Sequence, residues 1–286
     1  MTIDAGLATR SANTGSADWQ PDAVESSHSS RRAYLETVFE TPAIRLMLER
    51  TIELLQLRPG QSILEVGCGP GVILPRWAEL VGPGGRVVAI DHAESFVADA
   101  RDRVAGLDLG DIVTVDLGDA YALPYDDQCF DIAHCERVLM HLADPQAALQ
   151  EMRRVVRPGG RVVAVEPDWQ MIPFDHSDPE AMMALYAQHL KHIRQPDMGR
   201  TLYRRFGECG LTDRQVVPVV YPITDFSVLR TYGLYPEHHL DAVAANGGIS
   251  RDRAIAAIDQ LETASRDELF FTVAIGFAVA GIVPEA

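Results

Sequence analysis

Glycines at positions 67, 69 and 71 stand between a short apolar run, Ser62 to Val66, and a run of helical character, Val72 to Leu80. A strand, a tight turn and a helix in that order let a ligand approach the main chain, because glycine adopts backbone angles that other residues resist and carries no side chain. The spacing is G-x-G-x-G. A dinucleotide loop needs its third glycine one place later, at the N-terminus of the helix that seats the pyrophosphate, and here that place is the β-branched Val72. Glu65, two residues before the first glycine, would repel a phosphate. Asp91 closes the next apolar run, Arg86 to Ile90, twenty positions beyond Gly71, where a carboxylate can hold ribose hydroxyls. Together these residues describe a site for a nucleoside whose far end is a cation and not a phosphate.

Each candidate has a plainer reading. Asp91 could cap the helix that begins near Ala93. Asp119, followed by Ala120, could simply stabilise a turn. Glu65 could face the cationic end of the ligand or cap a turn. The segment Glu136 to His141 follows an apolar strand, so it falls at the carboxyl edge of an α/β sheet, where ligands bind. A neutral imidazole there can take a proton from an acceptor, or it can pack a loop. Glu136 could orient that imidazole, and Arg137 could bind an acidic substrate or form an exposed ion pair.

The sequence resembles class I S-adenosylmethionine (SAM) methyltransferases of the small-molecule branch, which includes ubiquinone/menaquinone-type and natural-product enzymes. The resemblance runs over residues 60 to 168. It includes Ile-Leu-Glu-Val-Gly-Cys-Gly-Pro-Gly at 63–71 and Gly-Asp-Ala-Tyr-Ala-Leu-Pro at 118–124. It continues with Cys-Glu-Arg-Val-Leu-Met-His at 135–141 and Arg-Pro-Gly-Gly-Arg-Val-Val-Ala-Val-Glu-Pro at 157–167. It implies a SAM site formed by Glu65, Gly67, Cys68, Gly69, Gly71, Asp91, His92, Asp119, Ala120 and Cys135, with S-adenosylhomocysteine as product. It also implies catalytic roles for His141 and Glu136, acceptor contacts from Tyr34, Arg137, Glu166 and Trp169, and no metal. The segment at 135–141 departs from the quinone enzymes and suits a specialised metabolite, methylated on oxygen, nitrogen or carbon. Two other classes share the same binding motifs: a SAM-binding relative that catalyses another reaction such as a cyclisation, and a non-enzymatic SAM-binding module.

The elements that must position these residues follow from hydrophobic periodicity. Residues 1–28 are polar, without a secretory pattern, and read as a flexible arm, leaving 29–286 as the methyltransferase domain. Two helices span Arg31 to Leu57, broken at Pro42. Strands near 62–66, 86–90, 111–115, 131–135 and 160–165 then alternate with helices near 72–80, 94–105 and 145–156, which predicts a doubly wound, mostly parallel α/β sheet. Helices at 179–193 and 200–209, a strand at 214–221, a helical stretch from 225 to 265 and a last strand at 269–282 follow. The resemblance implies seven strands in a Rossmann-like sheet with the last antiparallel, and lid insertions at 167–200 and 225–266 that cover the acceptor.

The 286 residues carry a net charge of −16, which disfavours a nucleic-acid partner because phosphate binding relies on Lys/Arg surfaces. The apolar run Val273 to Val283 is too short for a membrane span and suits a buried strand. Four cysteines without a C-x-x-C pair read as reduced thiols in a cytoplasmic protein, and the histidines at 189, 192, 238 and 239 as solvated helix residues. A small-molecule substrate and a homo-oligomer complete the expectation, with neither nucleic acid nor membrane as partner.

Overall fold

The computed structural model describes residues 28–231, 237–246 and 248–285. Two helices, α1 (His28–Phe39) and α2 (Pro42–Leu55), lead into β1 (Ser62–Val66). There follow α3 (Leu74–Val81), β2 (Arg86–Asp91), α4 (Glu94–Gly106), β3 (Val113–Leu117), β4 (Phe130–Glu136), a 3-10 turn (Leu139–His141), α5 (Pro145–Val155) and β5 (Val156–Pro167). Beyond β5 come α6 (Pro179–Leu190), α7 (Met198–Glu208), β6 (Thr212–Ile223), α8 (Phe226–Thr231), α9 (Glu237–Ala245), α10 (Arg251–Arg266) and β7 (Thr272–Ile282). The strands form one sheet in the order β3-β2-β1-β4-β5-β7-β6, parallel except for β7, which runs antiparallel between β5 and β6.

Alternation along the strands divides the core. In β1 and β2, Ile63, Val87 and Ala89 face one side with Trp77 and Val97, while Leu64, Val66, Val88 and Ile90 face the other with Met152 and Phe206. Both faces are apolar because helices cover both, as parallel sheets require. The chain departs from β1 towards β2 on one side and reaches β4 on the other, so the β1–β4 boundary is the point where ligands bind in open α/β sheets.

The insertions at 167–200 and 225–266 form a third apolar cluster, with Leu185 of α6, Leu229 of α8, Val243 of α9 and Ile258 and Leu261 of α10. Ion pairs fasten it: Arg253 Nε lies 2.7 Å from Asp178 Oδ2, and Asp178 also caps α6 through the Ala181 N–H. Two details differ from expectation. β5 begins four residues early, because Val156 pairs with Phe130 before a register shift in β4. The predicted arm falls outside the described residues except for His28, which opens α1.

Candidate functional site

Gly67, Gly69 and Gly71 have φ of +74°, +52° and +73°, in the left-handed region that favours glycine. The Gly67 and Cys68 N–H groups both donate to the Ile90 carbonyl, at 2.7 and 3.0 Å, which turns the loop back over β2. A Cβ at Gly67 would lie 2.4 Å from Val138 Cγ2, so the loop after β4 closes against this one. A Cβ at Gly71 would meet Ala100 of α4 at 2.9 Å, and Gly69 has only Leu35 of α1 at 3.4 Å. The loop is therefore clamped at its ends and approachable in the middle.

Asp91 is buried. Its Oδ2 accepts the Gly69 N–H at 2.8 Å and its Oδ1 accepts the Ala93 N–H at 2.9 Å, while the exposed His92 places Nδ1 3.4 Å from Oδ1. The helix-cap reading and the ligand reading thus coexist: one carboxylate joins the glycine loop to the start of α4, and each oxygen keeps a lone pair for a further donor. Asp119 is exposed and shapes its own turn through the Tyr121 N–H at 2.9 Å, and Ala120 packs half-buried beside it.

Several residues take duties that the sequence reading did not assign. Glu65 is directed into the core, where Oε2 accepts Trp77 Nε1–H at 2.8 Å and lies 2.6 Å from His134 Nδ1. Burial works to lower the His134 pKa, but the Glu65 carboxylate outweighs it and the net shift is upward. Cys135 is wholly buried in the sheet core and Cys68 nearly so, its Sγ 3.6 Å from the Gly69 carbonyl. Glu166 is also wholly buried: Oε1 accepts the Val138 and Leu139 N–H groups at 3.0 and 2.7 Å. Burial pushes its carboxyl up to about 8 against those bonds, and through them Glu166 braces the loop after β4.

That loop carries the remaining candidates. Arg137 has φ of +55°, and its N–H donates to the Val165 carbonyl at 2.9 Å. Its Nε lies 3.9 Å from Glu136, whose carboxyl is pushed upward by burial despite the arginine. His141 ends the 3-10 turn, and its pKa is pushed down to about 3, by burial first and then by the neighbouring Arg137 and His92. The imidazole is neutral over the whole physiological range, but it is a far weaker base than an unperturbed histidine.

Beyond β5, Asp168 is fully buried under Arg200, which also reaches Oδ1 through Nη2 at 2.5 Å. Trp169 stacks edge-on against His189 at 5.6 Å between ring centroids. His189 and His239 are buried, and His192 stacks on His239 at 4.5 Å, which corrects the expectation of solvated histidines; His238 lies among side chains outside the described ones. Among the described residues, no group of three His, Cys, Asp or Glu side chains could hold a metal ion, and no helix is long and apolar enough to cross a membrane.

Two features escaped the sequence reading. One is the clamp that holds α1, and with it the half-buried Tyr34, over the loop. Asp99 of α4 receives His28 Nε2 at 2.8 Å and Arg32 Nη1 at 2.9 Å, and Arg103 reaches both Glu36 at 2.5 Å and the Pro70 carbonyl at 2.9 Å. The charge pattern of α1 was the available signal. The other is an apolar cleft lined by residues of α2, the end of β5, α8 and the β6–β7 hairpin, together with Arg137, Asp168 and Trp169. Arg137 and Trp169, both expected to contact the acceptor, line it, and at Gly276 a Cβ would lie 2.4 Å from Met47 Cε.

Residues 57–207 match the sequence model of a methyltransferase domain. An uncharacterized 37.1 kDa protein in a transposon of Streptomyces fradiae is 42% identical over 200 residues, 69% of this chain and 55% of that protein. A demethylmenaquinone methyltransferase of Shouchella clausii is 34% identical over 158 residues, covering 55% of this chain and 63% of its own. The chain thus spans little more than half the length of these curated relatives. A structure of a putative methyltransferase from Bacillus halodurans has the same fold, with a TM-score of 0.60 at 16% identity over 85% of this chain and 99% of that one.

Proposed function

The chain belongs to the methyltransferase-domain family, in its class I SAM-dependent, small-molecule branch, and on that premise we propose that it transfers a methyl group to oxygen, nitrogen or carbon of a small organic acceptor. The observation that carries the reading is the pairing of the three positive-φ glycines with Asp91, which joins loop and helix at the β1–β4 crevice and keeps acceptor capacity for ribose hydroxyls. The residues fit SAM: the middle of the loop is open, no third glycine prepares a pyrophosphate seat, and Asp119 offers an exposed carboxylate for the adenine amino group.

When bound, SAM supplies a methyl group made electrophilic by the sulfonium. The chain then has to hold the acceptor in line and exclude water, and positioning of this kind can account for several kcal/mol of a barrier. The rim of the loop after β4, braced by Glu166, faces the acceptor side. Where the acceptor must lose a proton, His141 is the neutral group available to receive it, with Glu136 beside Arg137 setting the local charge. Its depressed pKa puts its contribution at the low end of the roughly 10²–10⁴-fold range of general bases.

We take residues 29–286 as one domain with the two insertions as its cover. The acceptor is a specialised metabolite, since the segment Cys135 to His141 departs from the quinone enzymes. The net charge of −16 supports the absence of a nucleic-acid partner, and the free thiols of Cys68, Cys129, Cys135 and Cys209 support a cytoplasmic protein. Calorimetric titration tests the cofactor assignment. SAM and S-adenosylhomocysteine are expected to bind with micromolar affinity and NAD not to compete at millimolar concentration; competition by NAD, or no binding of either SAM compound, would contradict it.

A further inference from the structure

The cleft at the ends of β5 and β7 is walled by Ile44 and Met47 of α2, Ile172, Val219 and Tyr221 of β6 and Leu229 of α8. Two charged residues border it. Asp168 is already matched by Arg200 through both carboxylate oxygens. Arg137 is not matched in this way: among the described residues, its only ion pair is the 3.9 Å contact with Glu136, too long for a hydrogen bond. With Asp168 matched by Arg200, the Arg137 guanidinium is the cation that lines the cleft, and burial raises the Glu136 carboxyl despite the arginine beside it. The left-handed backbone of Arg137, at φ +55°, is held by the bond to Val165, and the next two N–H groups are held by Glu166. Strained non-glycine positions of this kind persist where the surroundings impose them, and they gather at ligand sites.

We propose that this cleft receives an acceptor with an apolar body and one anionic oxygen group, such as a carboxylate, and that Arg137 binds the anion at the rim while the apolar body fills the space between α2 and the β6–β7 hairpin. This rests on the methyl-transfer reading for the role of the ligand, and on the cleft alone for its chemistry. The anchor has to be local because the whole chain is acidic, at −16, and repels anions at long range. Beside an apolar wall a single guanidinium is effective, since the low dielectric strengthens its field and its fork can pair with a carboxylate bidentately. Arg137 is here a specificity-determining residue: it chooses acids over neutral molecules of the same shape.

The test compares octanoate with octanol, which share an alkyl chain and differ in charge, by calorimetry on the 286-residue chain saturated with S-adenosylhomocysteine. Wild type should prefer octanoate by tenfold or more. Arg137→Asn, chosen because asparagine adopts positive φ readily, should bring the two within about twofold while octanol affinity stays within about twofold of wild type. Arg137→Lys should keep part of the preference. Ala274→Leu, which adds bulk to the cleft wall on β7, should weaken both ligands at least fivefold and keep their ratio. Equal binding by wild type, a preference that survives Arg137→Asn, or no measurable binding of octanoate at millimolar concentration would overturn the proposal. Binding of S-adenosylhomocysteine, measured in the same variants, controls for folding. A protein that selects octanoate but binds no S-adenosylhomocysteine would support the cleft chemistry and contradict the methyl-transfer reading.

Discussion

The half of the sheet from β1 to β4 and the helical insertions α6, α8, α9 and α10 are held in shape by opposite means. In the first half the backbone does most of the work: three left-handed glycines, paired N–H groups on Ile90, and a carboxylate that bridges loop and helix. Such contacts tolerate almost no added atoms. The cover is held by side-chain packing in its own apolar cluster and by surface ion pairs, and it buries polar groups that are unpaired among the described residues: the Tyr186 hydroxyl and both ring nitrogens of His189. Buried polar atoms without partners cost about 1–3 kcal/mol each. The β1–β4 half carries one as well, His134 Nε2, so the difference between the regions lies in backbone against side-chain support.

The contrast is broken most severely at Gly71. Gly71→Val combines a left-handed conformation with a Cβ 2.9 Å from Ala100, which adds about 1–2 kcal/mol of backbone strain and about 1–3 kcal/mol of overpacking. Urea titration should show a loss of that combined order, and SAM binding should vanish. Asp91→Ala comes next: it removes the ribose acceptor and frees the Gly69 and Ala93 N–H groups, and charge-assisted bonds of about 1.5–3 kcal/mol each imply a loss of affinity of tenfold to well over a hundredfold by calorimetry. Unchanged affinity would remove the ribose assignment.

Two smaller effects sharpen the comparison at its seam, the loop after β4. His141→Ala should lower turnover by about 10²-fold or less and leave SAM affinity nearly intact. Because the imidazole stays neutral above about pH 3, the wild-type pH–rate profile should lack an inflection near 6.5 from this residue; a clear inflection there that the mutation abolishes would show that the site is more solvated than its burial implies. Glu166→Gln reads stability instead of rate. The wild-type carboxyl is raised from 4.5 to about 8, so the folded protein holds a proton that the unfolded chain releases above pH 4.5, and the associated stability declines as pH rises and is gone above about 8. Between pH 6.5 and 8 this amounts to roughly 1–2 kcal/mol. The urea midpoint of wild type should fall across that interval by more than that of Glu166→Gln.

Most of this first half was legible in the sequence because its signals are local. A glycine at 67, 69 or 71 announces a backbone angle, an acid at the end of a strand announces the sheet edge, and alternating apolar runs place β1 to β5 and their helices within a few residues. The duties of Glu65, Cys135 and Glu166 were not legible. Whether an acid or thiol at a strand end turns towards the ligand or towards the core depends on which partner lies across the sheet, here His134 for Glu65 and the N–H groups of Val138 and Leu139 for Glu166. The buried histidines of the cover were misread for the same reason, since α6 and α9 meet only through tertiary packing. The cleft as a whole was not legible because its walls come from α2, β5, β6, β7 and α8, from Ala43 to Gly276 in the chain.

The central claim is that the crevice at β1 and β4 serves methyl transfer and not cofactor binding alone. It is tested most directly by incubating the protein with methyl-labelled SAM and an extract of its host cell, then separating products by size while S-adenosylhomocysteine is counted. The account predicts label in a small-molecule fraction, released in equal amount to S-adenosylhomocysteine and lost with Asp91→Ala. SAM bound but unconsumed, or label recovered only in macromolecules, would contradict it.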